Sequence, residues 1–244
     1  MKIKYDILVV GAGGTGTYFL KEFSRYISGN PAAKKFVREL MVMDGDVVEK
    51  KNLARQCFLP EDIGREKAVV MAEALNDAFD LQWSAYPQYL TTMEQLEARI
   101  PLALKEQGAD AVIPLVISCV DNHAARLLLE AYFDKAQNLI IFDSANEFEN
   151  GEAVFAYKMK GKVLAPCRST YFPDIREGDL RDRTEVSCEE LNNVAPQHIF
   201  TNMYAGLVLC SAVADLFNGN ARTGWVSFNP FQFSSELFPS FEVK

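Results

Sequence analysis

The six residues Gly11-Ala12-Gly13-Gly14-Thr15-Gly16 follow directly on the apolar run Tyr5 to Val10 and lead into a segment with Tyr18, Phe19 and Phe23 on one side. Strand, glycine turn and helix in that order are the opening unit of a doubly wound α/β sheet. Gly11, Gly13 and Gly16 allow a tight bend, a close approach of backbone to an anion, and close packing of helix on strand, and Gly14 is counted with them as part of the nucleotide-binding loop. The turn predicts a bound nucleotide phosphate and leaves the nucleotide itself open.

Further strands are expected at Leu40 to Met43, Ala111 to Val120 and Asn138 to Phe142, and helices at Lys67 to Ala78 and Asn122 to Phe133. This alternation is that of a mostly parallel Rossmann-like sheet. After Asp143 the pattern changes. Gly151 to Tyr157 reads as a short alternating strand, 165–197 as a polar surface loop, Ile199 to Phe217 as an apolar helix, and Trp225 to Phe238 as an aromatic-rich end. The reading is a nucleotide-binding core over 1–145 and a substrate-binding and dimerisation region over 146–244, extending the sheet with antiparallel strands. At 244 residues the two parts are expected to form one integrated domain.

A net charge of -8 disfavours sequence-independent nucleic-acid binding. No run of 18 or more uniformly apolar residues is read as a membrane span, and a strand entered within a few residues leaves no room for a secretory signal, so a cytoplasmic protein is expected. Five cysteines without a CxxC pair favour neither a disulfide framework nor a four-thiolate zinc site.

The second strand ends at Asp44-Gly45-Asp46 and is followed by Asn52-Leu53-Ala54-Arg55-Gln56 and then Ile63-Gly64-Arg65-Glu66-Lys67. An acid at that strand end can accept both ribose hydroxyls, and Asp44 is favoured over Asp46 for the role. Arg55 and Lys67 fall on the carboxyl edge of the sheet, where a planar guanidinium and a compact ammonium can hold phosphate oxygens and developing charge. Asp121, at the end of the next apolar strand, either caps the following helix or supplies the carboxylate that Mg²⁺ requires beside a triphosphate.

Together these motifs resemble the ThiF/MoeB/ubiquitin-activating adenylyltransferase family, over residues 5 to about 145. The resemblance implies that the glycine loop takes phosphate and Asp44 the ribose, that Asn52, Arg55, Gln56 and Lys67 handle the triphosphate, and that Asp121 holds Mg²⁺. It further implies ATP-dependent activation of the C-terminal carboxylate of a small ubiquitin-like protein, as acyl adenylate, by a homodimer. Segments including Leu81 to Pro87, the Asn202 helix and Asn229-Pro230 look closest to the plasmid-associated subgroup in the PRTRC gene system.

Thr184 to Glu190 looks like the segment where sulfur-carrier enzymes place an acceptor cysteine, which makes Cys188 the nucleophile candidate, although Glu185, Glu189 and Glu190 would raise its pKa. Pro166-Cys167-Arg168-Ser169-Thr170 keeps one thiol where zinc-binding relatives have two, so zinc is not expected. Two rival readings share parts of this pattern. An NAD-dependent oxidoreductase would use the loop and acid but not Arg55 and Lys67, and a nucleotide-binding scaffold would bind without turnover.

Overall fold

The computed structural model describes residues 3–100, 111–177, 180–181 and 197–240. Among them one nine-stranded sheet runs in the order β3-β2-β1-β4-β5-β6-β8-β9, with β7 paired to β6. The strands are β1 (Ile3–Val10), β2 (Val37–Met43), β3 (Trp83–Tyr86), β4 (Ala111–Ser118), β5 (Leu139–Asn146), β6 (Gly151–Met159), β7 (Lys162–Ala165), β8 (Gly224–Asn229) and β9 (Ser234–Phe238). β1 to β5 pair in parallel, and every pairing from β5 onward is antiparallel. The expected Rossmann-like sheet with an antiparallel C-terminal extension is therefore present.

The longer helices are α1 (Gly14–Gly29), α2 (Lys67–Phe79), α3 (His123–Lys135) and α4 (Ile199–Phe217). Both faces of the sheet are covered, which explains why the parallel strands read as continuous apolar runs. Ile7 and Val9 pack into the core beneath α1, α2 and α4, with Phe19, Phe23, Met71 and Leu209. Leu8 and Val10 point the other way, into the core under α3 with Leu129, Tyr132 and Phe133. Because β1 sits between β2 and β4, its carboxyl end is the point where strand order reverses, and ligands bind there in open α/β sheets.

Several expectations are corrected. The strand expected at Gly151 to Tyr157 is present as β6 but does not alternate in burial: Ala153 to Lys158 are all buried, with β5 and β8 flanking the strand on both sides. The polar segment after it does not lie wholly on the surface, since Arg168 and Ser169 are buried within a short helix, Arg168–Tyr171. β3, β7, β8 and β9, each of four to six residues, went unread as strands. The helix α4 meets the length and mean hydropathy of a membrane span. It nevertheless packs on this core through Ala205, Leu209, Ala212 and Val213.

Candidate functional site

The glycine loop leaves β1 and stays in register with its neighbour, the Gly11 N–H donating to the Met43 carbonyl at 2.8 Å. A Cβ at position 16 would lie 1.9 Å from the Gly11 carbonyl oxygen, so the first turn of α1 can close on the strand only with glycine there. Among the described residues no side chain caps α1, and its first N–H groups keep the anion-binding character of a helix start.

Asp44 reaches back to this loop. Its carboxylate accepts the Ala12 N–H at 2.6 Å and the Asp46 N–H at 2.8 Å. Burial pushes its pKa up, and the nearby Lys67 ammonium opposes that rise. Asp46 is engaged differently: it accepts Lys67 Nζ at 2.9 Å and the Tyr89 hydroxyl. Lys67 opens α2, is almost fully buried, and is held from the main chain as well, its N–H donating to the Asp46 carbonyl at 2.9 Å. The two acids are thus distinguishable by their partners. Asp46 neutralises a buried ammonium, whereas Asp44 is fixed by neutral N–H donors that leave each oxygen a lone pair for a hydroxyl.

Between these groups lies the 3-10 turn Lys50–Ala54. Asn52 is buried and closes that turn by accepting the Glu49 N–H at 2.8 Å. Gln56 is buried beside Gly13, and among the described residues its Oε1 meets no hydrogen-bond partner. Arg55 is half-buried and makes no ion pair among the described residues.

Asp121 lies exposed in the turn between β4 and α3. It is not the cap of α3, because Asn122 accepts the Ala125 N–H at 2.8 Å and does that work instead. Behind this turn is a group that motif reading missed. Arg126, buried one turn into α3, donates to the Val120 and Ser144 carbonyls and to Asp143. Asp143 also accepts from Ser118 Oγ at 2.6 Å and from Arg168. Burial alone would raise the Asp143 pKa, but Arg168 and Arg126 outweigh it and hold the carboxyl below its ordinary value. Polar residues at the ends of two apolar strands were the available signal; their partners come from another helix and from the segment after β7.

Thr15, Asn146 and Asn202 also gather at the loop and were likewise not singled out as site residues. Cys188, the nucleophile candidate, lies outside the described residues. His198 caps α4 by accepting the Phe200 N–H at 3.2 Å, and its ring packs against Phe148, Phe200 and Phe231.

Known proteins resemble the chain in sequence and in fold. Ubiquitin-like modifier-activating enzyme 5 of Culex quinquefasciatus is 30% identical over 244 residues, covering 98% of this chain and 56% of that protein. The Oryza sativa subsp. japonica enzyme of the same name is 29% identical over 249 residues, covering 98% and 54%. The chain therefore spans little more than half the length of these curated relatives. Among solved structures, E. coli MccB crystallised with ATP superposes with a TM-score of 0.62 at 15% identity, covering 97% of this chain and 64% of that one. PaaA gives 0.62 at 13% identity, covering 98% and 65%. The model of the ThiF family matches residues 3–237, taking in both the glycine-loop edge and the antiparallel extension, and the chain belongs to that family.

Proposed function

We propose that this protein uses ATP and Mg²⁺ to adenylate the C-terminal carboxylate of a small ubiquitin-like protein. One observation carries the reading beyond family membership: Lys67 is buried at the sheet edge, and its charge lies close enough to Asp44 to oppose the burial of that acid. Asp46 pairs with that ammonium, so the cation is held ready at the ligand edge, and a polyphosphate can share it: a preorganised cation in a poorly solvated site stabilises charge that develops on phosphoryl oxygens.

In this scheme Asp44 accepts the ribose hydroxyls, and the α1 N-terminus with Gln56 and Asn52 lines the phosphate path. Arg55 and Lys67 balance the triphosphate charge. A carboxylate oxygen of the partner attacks the α-phosphorus, the bond from that phosphorus to the bridging oxygen breaks, and pyrophosphate departs with the electron pair. Asp121 offers a carboxylate at the same edge, which suits Mg²⁺, an ion that takes one or two protein carboxylates and otherwise phosphate and water oxygens. Bound there, the ion would neutralise charge on the phosphates. The Cys188 thiolate would afterwards attack the acyl carbon, the bond from that carbon to the phosphate oxygen would break, and AMP would leave, giving a thioester.

A homodimer is proposed through α4, where Phe200, Met203 and Leu207 form an exposed apolar stripe continuous with Phe231. The enzymatic reading is tested by ATP–pyrophosphate exchange with small proteins encoded beside this one. Exchange is expected with one of them, and at least about a hundredfold loss in Lys67→Ala and Asp121→Ala. ATP binding without exchange for any partner would reject adenylation in favour of a nucleotide-binding scaffold.

A further inference from the structure

The pair formed by Lys67 and Asp46 has a third member, which comes from beyond β3. Tyr89 lies three residues past the end of that strand, at the same carboxyl edge of the sheet, since β3 runs parallel to β2. Its hydroxyl donates to Asp46 Oδ1, while Lys67 Nζ donates to Asp46 Oδ2 at 2.9 Å. Phenol and ammonium therefore hold different oxygens of one carboxylate.

The tyrosine is firmly seated. A Cβ on Gly45 would lie 2.6 Å from Tyr89 Cγ and 2.7 Å from Cδ2, so the ring rests directly on the main chain between the two acids. The Tyr89 carbonyl accepts Gln95 Nε2 at 3.0 Å, and Gln95 Oε1 accepts the Thr91 and Thr92 N–H groups at 2.8 and 3.0 Å. A carbonyl can accept and an amide N–H can donate, so those partners leave the Gln95 amide one orientation. The Tyr86 carbonyl accepts the Asp44 N–H at 3.2 Å, which ties the start of this segment to the end of β2. A ring placed by the main chain in this way carries its hydroxyl to one fixed point, and that point is Asp46.

We infer that Tyr89 is a positioning residue for the polyphosphate, acting through Asp46 on Lys67. The inference rests on the adenylation reading and adds the group that decides how the ammonium is shared. An ammonium has three donor protons, and a triphosphate can use those that Asp46 leaves. An unsupported carboxylate would turn both oxygens toward Lys67 and keep its full charge beside the phosphates. A phenol hydrogen bond opposes that turn and draws charge off the carboxylate, so Lys67 keeps protons for the ligand and Asp46 repels phosphate less. Both effects favour the phosphates, and neither acts on the nucleoside.

Tyr89→Phe removes the hydroxyl and keeps the ring on Gly45. The probes are a non-hydrolysable ATP analogue and adenosine, which has the base and ribose but no phosphate. Dissociation constants are measured for wild type, Tyr89→Phe, Lys67→Met and the double variant. Tyr89→Phe is expected to weaken the analogue about tenfold and to leave adenosine within about twofold, which also reports a folded site. In the Lys67→Met background the same change is expected to alter analogue binding by less than about twofold, because the group through which the phenol acts is gone. Equal losses for both ligands would assign the phenol to the nucleoside pocket or to the fold and overturn the inference, as would unchanged affinity for both. Full additivity of the two substitutions would overturn it too, by showing that Tyr89 works independently of the ammonium. Adenylation would stand in each of these cases, since exchange by the wild type tests it separately. A wild-type protein that binds no analogue would remove adenylation and this role together.

Discussion

At the scale of single residues, the site depends on how one ammonium and two carboxylates share a small volume. Lys67 pairs with Asp46 and at the same time opposes the burial that raises the pKa of Asp44. A carboxyl whose folded pKa is raised is a poorer ribose acceptor as pH falls, because protonation replaces a lone pair with a donor. Replacing the ammonium removes the influence that lowers the Asp44 pKa. Lys67→Met should therefore move the acid limb of ATP binding to higher pH, measured as dissociation constants across a pH series. An acid limb unchanged by the substitution would mean that Asp44 does not set it. Sequence reading found Asp44, Asp46 and Lys67 because they flank a strand end and a helix start at motif spacing. It could not assign their pairings. Nor could it see Asn146 beside Thr15, since only the closed sheet brings residues so far apart in sequence to hydrogen-bonding distance.

At the scale of elements, the carboxyl ends of β4 and β5 are tied together by Asp143, Arg126, Arg168 and Ser118. Arg126 also holds the Val120 carbonyl, and so fixes the turn that presents Asp121. Removing one partner of a buried ion group leaves the others uncompensated, at about 3–5 kcal/mol. Asp143→Asn is expected to lose about that much in urea unfolding. Linkage adds a pH signature. The folded pKa of Asp143 is depressed, so its contribution is complete above the ordinary carboxylate pKa and is lost as pH falls through the folded value. The stability difference between wild type and Asp143→Asn should accordingly narrow on acidification. β1, β2, β4 and β5 were legible because strands buried on two faces are apolar throughout. β6 was legible as a strand, and only its full burial was not: the strand lies between β5 and β8, and β8 is contributed from beyond α4. The four short strands carry too few residues to show a period.

At the scale of the whole molecule, the proposed homodimer rests on the outer face of α4. Its inner residues, Ala205, Leu209 and Val213, are buried in the core, while Met203 and Leu207 remain exposed one and two turns along. An exposed apolar stripe of that kind commonly marks an interface. Leu207→Glu is expected to convert a dimer to a monomer in light scattering, weakening association at least about tenfold without lowering the melting temperature. A wild-type protein that is monomeric at high concentration would dismiss this interface.

The order in which the chain is made bears on the same helix. β1 completes its pairing only when β4 arrives, about a hundred residues downstream, and non-local pairing of that kind slows folding. Asn202 reaches Gly14 later still, with the last helix. A nascent chain on the ribosome can thus form the β2 side of the loop, with Asp44 on Ala12, well before the β5 side is closed. Closure of the core beneath β1 waits for the same helix, since Leu209, Ala212 and Val213 come from α4, and a chain truncated before Ile199 would leave that core open.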